Sequence, residues 1–197
     1  MGRPKLYDDA LRARLLDGAA ALVFDHGVDA LNLRRLASGA DTSTSAVYSL
    51  FGSKAGLLES LYREAVRRFG ERLARVPVTD DPVRDIVRLG IAYREYARDE
   101  PHLYGILFSG LDEPNSDAGA EAARTIEPLV DAVRRGQAAG VLATVPAEQI
   151  ALACWGVAHG LVSIEFAGSV PPGLDIAAGY EGALVAMVKG WTVDRPS

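Results

Sequence analysis

Residues 31–62 of this chain read LNLRRLASGADTSTSAVYSLFGSKAGLLESLY. Apolar side chains recur in this stretch at the three- and four-residue spacing of amphipathic helices. Asn32 is a favourable cap for a first short helix that runs to about Gly39. The apolar side of that helix consists of Leu33, Leu36, Ala37 and Ala40.

A second short helix follows the tight turn at residues 40–42 and extends from its cap Ser43 to about Phe51. Two such helices and their turn form a helix-turn-helix pattern, which occurs in DNA-binding proteins and also in bundles that bind no DNA. The polar side of the second helix carries no carboxylate and consists of Thr44, Ser45, Tyr48 and Ser49. This side can approach phosphates without repulsion, and its hydroxyl groups can bond phosphate oxygens or base edges.

Basic residues flank the helix pair. Lys54 lies in the first turn of the next helix, where a cation is unfavourable unless it shares a bound phosphate with the helix N-terminus. The segment Gly2-Arg3-Pro4-Lys5 is a basic arm of the kind that follows a minor groove, or else a disordered tail. The candidate DNA-binding residues are Arg3, Lys5, Asn32, Arg34, Ser43, Thr44, Ser45, Tyr48, Ser49 and Lys54.

The whole chain has the pattern of an all-α protein, because no segment alternates apolar and polar residues as a strand does. We predict a helix-turn-helix domain over residues 1–53, a connecting helix within 54–78 that Pro77 ends, and a larger helical bundle over 79–197. Pro128 either delays or kinks one helix of that bundle. The most apolar helix is predicted from about Pro146 to Ala167, and the final one from about Asp175 to Trp191.

The composition and the charge distribution of the chain restrict the class of protein to which it can belong. The 197 residues are 49% hydrophobic and 24% charged, as in a packed globular domain. The net charge of −5 divides into +3 over residues 1–78 and −8 over 79–197, so only the first part suits a phosphate surface. The longest charge-free run, residues 149–164, is shorter than the roughly 20 residues of a membrane span, and we interpret it as a buried core helix.

The sequence shows neither an export signal at its N-terminus nor a cysteine pattern for metal binding. The N-terminus has no apolar signal region, so we expect a cytoplasmic protein that has no membrane partner. Cys154 is the single cysteine, which excludes an intramolecular disulfide and a cysteine-cluster zinc site. We therefore expect no metal and no cofactor.

The quoted stretch resembles the DNA-binding domain of the TetR family of transcriptional regulators, through Val47-Tyr48, Phe51 and Ser53-Lys54. The resemblance implies that residues 43–49 enter the major groove, that Tyr48 and Lys54 hold phosphates, and that Asn32 docks the first helix on the backbone. The chain has Asp41-Thr42 where the family usually has Gly-Val, and Ser45 where a Gly is usual. Because Asp tolerates the left-handed conformation, we expect the turn to be retained.

The later segment CWGVAHGLVSIEF resembles the Trp…His-Gly branch of TetR C-terminal domains, in which a small ligand binds and two chains pair. A concentration of aromatic side chains with polar tips suits an apolar or aromatic effector, although each residue alone is more typical of a core. His159 in particular fits a buried, hydrogen-bonded histidine that orients its helix. The candidate lining is Tyr93, Tyr96, His102, Tyr104, Phe108, Trp155, His159, Phe166 and Met187.

Small residues form ridges on the last two predicted helices. Such ridges allow two helix backbones to approach closely, either within one chain or in a four-helix bundle made by two chains. We favour a homodimer, because one short reading helix covers only a half-site of a palindrome. The ridge residues are Gly156, Gly160, Ser163, Gly179, Ala183, Ala186 and Gly190.

Together these features predict a ligand-responsive repressor that binds a palindromic operator on double-stranded DNA and is released by an effector that favours the DNA-incompetent form. One alternative is a TetR-like sensor that has lost or altered its DNA binding. A distant alternative is a small helical enzyme, but the three histidines lie far apart in sequence, and Cys154 and His159 do not share a helix face.

Overall fold

The computed structural model of the protein describes residues 5–108 and 117–193. These residues form α-helices and no β-strand, apart from one antiparallel bridge between Leu142 and Thr192. A short 3-10 turn occupies Val28–Ala30. The α-helices are α1 (Lys5–His26), α2 (Leu33–Gly39), α3 (Thr44–Phe51), α4 (Lys54–Ala74), α5 (Pro82–Asp99), α6 (Pro101–Leu107), α7 (Asp117–Arg124), α8 (Glu127–Ala138), α9 (Ala147–Phe166) and α10 (Ile176–Lys189). The predicted all-α fold is confirmed.

The helix ends follow from side-chain caps. Asn32 and Ser43 cap α2 and α3, as the sequence predicts, and Asp175 caps α10 by accepting a hydrogen bond from the Ala178 amide at 3.1 Å. Gly52 ends α3 with a φ of 73°, a conformation that favours glycine. The sequence therefore fixes these boundaries through local hydrogen bonds and backbone freedom.

Of the described residues, 5–68, 100–108 and 117–122 form one compact unit, here called the N-terminal unit. Helices α1, α2 and α3 enclose a core that includes Leu15, Leu36 and Val47. Helix α6 packs on α1, where the Phe24 and His102 rings lie 5.2 Å apart. Gly105 permits this contact, because a Cβ there would stand 2.4 Å from the Phe24 ring.

The second compact unit, here called the C-terminal unit, contains residues 69–99 and 123–193 of the described chain. Helices α5, α8, α9 and α10 pack against one another in it. The Tyr180 hydroxyl donates to the Gly90 carbonyl at 3.0 Å and joins α10 to α5. Arg94 pairs with Glu165 through two hydrogen bonds of 2.8 Å and joins α5 to α9. Glu165 is therefore held by an arginine within the unit.

One helical prediction is resolved and another is corrected. Of the two alternatives for Pro128, the late start is correct, because α8 begins at Glu127 after the separate helix α7 and Pro128 lies in its first turn, where its missing N–H costs nothing. Helix α9 is not a fully buried core helix, since Leu152, Trp155 and Ile164 are exposed. By length and composition alone α9 would suffice to cross a membrane. Its one buried face, which includes Ile150, Cys154 and Val162, packs within the C-terminal unit.

Candidate nucleic-acid interface and effector region

The turn between α2 and α3 is closed by backbone hydrogen bonds. The Thr42 amide donates to the Ala37 carbonyl at 2.9 Å, and the Asp41 amide donates to the Ser38 carbonyl at 3.3 Å. Asp41 has a φ of 51° and is the one non-glycine residue with a left-handed backbone in the part of the chain that the structure describes. The expectation that Asp41 sustains the turn is confirmed.

Two predicted DNA-binding residues also serve as caps. The Asn32 side-chain oxygen accepts from the Arg34 and Arg35 amides at 2.9 and 3.2 Å. The Ser43 hydroxyl oxygen accepts from the Ala46 amide at 3.2 Å. The Asn32 amide group and the Ser43 hydroxyl proton are donors that these bonds do not use, so each residue can fix its helix and still donate to a phosphate.

The outward face of α3 is accessible. Tyr48 is 52% exposed, and Ser45 and Ser49 are exposed beside it. Val47 and Phe51 point the other way and are buried. Arg34 of α2 is exposed, whereas Thr44 and Lys54 are partly exposed. These six side chains therefore lie at or near the surface of the helix-turn-helix.

The start of α4 is held against the end of α3 by Ser53 and by two residues that the sequence analysis did not include, Gly56 and Arg12. The Ser53 hydroxyl accepts from the Gly56 amide at 3.0 Å and caps α4. A Cβ on Gly56 would stand 2.2 Å from the Phe51 carbonyl oxygen, so only glycine permits this approach. Arg12 of α1 lies over the Phe51 ring at 5.1 Å. A glycine so early in a helix is the sequence signal that could have identified this contact.

The C-terminal end of the predicted basic arm is helical. Lys5 is the first residue of α1. Arg3 lies outside the described residues. The assignment of both residues to DNA stays a prediction.

The predicted effector residues are divided between the two units. In the C-terminal unit, the Tyr93 hydroxyl lies 2.7 Å from His159 Nδ1, and Trp155 stacks obliquely on His159 with ring centroids 5.7 Å apart. Phe69 of α4 also packs here, although the sequence analysis did not include it. Its ring centroid lies 5.4 Å from that of Tyr93 and 5.2 Å from that of Tyr96. We call these five residues the aromatic cluster.

The other predicted lining residues are placed differently. His102, Tyr104 and Phe108 belong to the N-terminal unit, where the Tyr104 and Phe108 rings lie 5.1 Å apart. Phe166 is exposed at the end of α9. Met187 lies beside Cys154, with 3.5 Å between their sulfur atoms. Sequence spacing could not separate these groups, because it does not show which unit a helix joins.

Burial sets the chemistry of two groups in the C-terminal unit. Burial lowers the pKa of His159, which favours its neutral form. Burial raises the pKa of the Cys154 thiol to about 12, so this cysteine is not a reactive thiolate at neutral pH. Within the described residues, no group of three His, Cys, Asp or Glu side chains is arranged as metal ligands.

Three of the four predicted ridge glycines face open space, whereas Gly190 lies just after α10 and its Cβ would stand 3.2 Å from the Met187 carbonyl oxygen. A Cβ on Gly156, Gly160 or Gly179 would meet no atom within 4 Å. In contrast, a Cβ on Gly90 would stand 2.6 Å from Leu184, and one on Gly136 would stand 2.5 Å from Leu142. Packing inside the chain thus explains the second group of glycines and not the first.

Family models match most of the chain. The model of the N-terminal domain of bacterial regulatory proteins of the tetR family matches residues 15–61, which contain the helix-turn-helix. A tetracyclin repressor-like C-terminal domain matches residues 86–187. The chain belongs to the TetR family. The family model that matches the N-terminal part of this TetR chain describes bacterial regulatory proteins, in agreement with the resemblance.

Similar proteins agree with this assignment. The HTH-type transcriptional regulator Rv1816 of Mycobacterium tuberculosis is 26% identical over 71% of this TetR chain and 63% of its own length, so the match spans less than two thirds of that relative. The HTH-type transcriptional repressor SCO4008 of Streptomyces coelicolor is 28% identical over 76% of this chain and 79% of its own. A protein of unknown function from Rhodococcus sp. RHA1 has a similar structure, with a TM-score of 0.80, 25% identity, and coverage of 93% and 96% of the two chains.

Proposed function

We propose that the protein is a cytoplasmic repressor that binds a palindromic DNA operator as a homodimer and releases it when a small apolar or aromatic effector binds. The exposed face of α3 carries this proposal. It presents hydroxyl groups and a phenol without a carboxylate, on a helix held by capped ends and a closed turn. Lys54 follows at the capped start of α4, where a phosphate would be stabilised by both the ammonium group and the helix N-terminus.

DNA binding is tested by fluorescence anisotropy with duplexes tiled around the coding region of the protein, at several salt concentrations. We expect Tyr48→Ala and Lys54→Ala each to weaken binding by a similar factor on all sequences, because both residues are assigned to phosphates. Only Lys54→Ala should make the salt dependence shallower, by about one counterion. Lys189→Ala, an exposed lysine at the end of α10, is the matched control. An unchanged affinity and salt slope in Lys54→Ala would show that the phosphate assignment is wrong.

The proposed dimer interface is the outward face of α9 and α10. The open glycines of α9 lie there beside the exposed apolar side chains of Leu152 and Ile164. A second copy of the chain would bury this surface and use the close approach that small residues allow. A four-helix bundle of two α9 and two α10 helices satisfies both features.

The dimer is tested by sedimentation velocity at micromolar concentrations. Gly160→Glu should shift the protein to monomer, because it places a charge on the shared face. Gly70→Glu is the control, since Gly70 lies in α4 and its Cβ position is also open. Dimers that persist in Gly160→Glu, or a wild-type monomer, would contradict this interface.

The proposed effector site is the aromatic cluster. It combines buried aromatic surface with the polar Tyr93 and His159 pair, as a pocket for a small apolar molecule requires. Together with Gly160, Trp155 and His159 also support assignment to the Trp…His-Gly branch of the family.

Effector binding is tested by release of a labelled operator duplex in the presence of neutral compounds with one to three aromatic rings. A compound that releases wild-type protein should be at least several-fold weaker on His159→Ala and Tyr93→Phe. Tyr104→Phe, in the N-terminal unit, should respond as the wild type does. Loss of response in Tyr104→Phe alone would place the effector away from the aromatic cluster.

A further inference from the structure

The reading face of α3 has unusual donor chemistry. The structure describes every residue of α3, and none of its exposed or partly exposed side chains is an Arg, Lys, Asn or Gln. Discrimination of guanine rests mainly on paired donors to O6 and N7, and discrimination of adenine on a paired amide contact. A hydroxyl group makes single hydrogen bonds and serves as donor or acceptor, so it distinguishes bases weakly.

The apolar atoms of this face are its remaining means of discrimination. Thr44 is the first residue of α3 and carries a γ-methyl group, and the N-terminal residues of a recognition helix are those that contact base edges. Tyr48 lies one turn later on the same side and is assigned to a phosphate, so Thr44 is the residue of this face whose methyl group is left for a base. Thymine is the base that presents a methyl group in the major groove, and threonine methyl groups contact it.

We assign the nearby charged residues to contacts other than guanine. Arg34 and Arg35 lie in the first turn of α2, the helix that crosses the DNA backbone in this motif, which assigns them to phosphates. Asp41, in the turn, can accept a hydrogen bond from cytosine but cannot donate one to guanine.

We propose that the protein recognises its operator through thymine methyl groups, with the γ-methyl of Thr44 as the specificity-determining contact and with no paired contact to guanine. This inference rests on the proposed DNA-binding function. It defines the ligand as a duplex whose half-site has a thymine opposite the N-terminus of α3.

The experiment begins with selection of a tightly bound duplex from a random-sequence library by the full-length protein. Each thymine of the selected duplex is then replaced singly by uracil, which removes only the methyl group. Each guanine is replaced by 7-deazaguanine, which removes the N7 acceptor. We expect uracil at the contacted thymine to weaken binding about fourfold, the equivalent of one buried methyl group, whereas 7-deazaguanine should have no measurable effect.

Two matched variants locate the contact. Thr44→Ser removes only the γ-methyl, so it should bind the thymine and uracil duplexes equally at the contacted position. Thr44→Val retains methyl groups, so it should keep the preference for thymine. A 7-deazaguanine effect larger than every uracil effect would overturn the proposal, as would a thymine preference that is unchanged at all positions in Thr44→Ser. Failure to select any duplex above the random pool would instead overturn the proposed DNA-binding function itself.

Discussion

Asp41 combines a structural benefit with an electrostatic cost. Its left-handed backbone closes the turn before α3, a conformation that most residues other than glycine, asparagine and aspartate adopt at a cost of about 1–2 kcal/mol. Its carboxylate is exposed beside a face that we assign to phosphates. The turn therefore requires an Asp-like backbone preference but not the negative charge.

The two properties of Asp41 can be separated by substitution. Asp41→Asn should tighten binding to every duplex several-fold at low salt, because it removes repulsion while it keeps a residue that tolerates the turn. Asp41→Ala should lower the free energy of unfolding by about 1 kcal/mol, because alanine is strained at this φ. Anisotropy titrations and urea unfolding measure these effects. Equal unfolding free energies for the alanine and asparagine variants would argue against strain at this turn.

At the scale of the helices, local signals predicted the elements well. The caps Asn32, Ser43 and Asp175 set helix starts because each forms its own short-range hydrogen bond. The division between α7 and α8 was predicted only as a kink or a late start, since Pro128 is compatible with either. The exposure of α9 could not be predicted, because an apolar helix has the same composition whether its chain or a partner covers it.

The sequence analysis grouped the residues of the α3 face correctly but did not find the full aromatic cluster. The residues of the α3 face are adjacent in sequence, so helical periodicity alone brought them together. The aromatic cluster combines α4, α5 and α9, and periodicity does not show that Phe69 meets Tyr93 and Tyr96. Tertiary packing also placed His102 in the other unit, beside Phe24.

Helix α4 contains two glycines with opposite roles, and their substitution tests the α3–α4 contact. Gly56→Ala should destabilise the protein by about 1–3 kcal/mol, because the new Cβ overlaps the Phe51 carbonyl oxygen and forces a backbone shift. Gly70→Ala should stabilise it by up to about 1 kcal/mol, since its Cβ position is open and alanine favours a helix. Urea unfolding followed by circular dichroism measures both. A neutral Gly56→Ala would mean that α4 starts without this close approach.

Across the whole molecule, charged networks lie along α4 in both units. Arg68 pairs with Asp17, Glu64 and Glu100 in the N-terminal unit. Arg72 pairs with Asp99 in the C-terminal unit. Most of the carboxylates are well exposed, so each pair is worth at most about 1 kcal/mol and less at high salt.

Asp85 is a buried carboxyl group whose contribution to stability depends on pH. Burial opposes ionisation of Asp85, but hydrogen bonds from Thr79, Arg88 and Arg135 outweigh it and hold the pKa of this carboxyl below its usual value. The stability that Asp85 contributes is thus present above its ordinary pKa of 3.8 and is lost as the pH falls through its lower folded-state pKa. His159 affects stability in a separate, less acidic pH range.

Because burial lowers the pKa of His159, the unfolded chain binds a proton more readily than the folded one as the pH falls below the ordinary value of 6.5. Stability should therefore fall as the pH decreases from neutral through the ordinary histidine value of 6.5, well before Asp85 is protonated. We expect the thermal midpoint of His159→Gln to change less with pH over this range than that of the wild type, measured at equal protein concentration. Tyr93→Phe keeps the imidazole in place and should retain the pH dependence, even though it removes the hydrogen bond to Nδ1. If His159→Gln and wild type have parallel pH profiles, a different group controls stability in this range, and His159 is not held neutral by its surroundings.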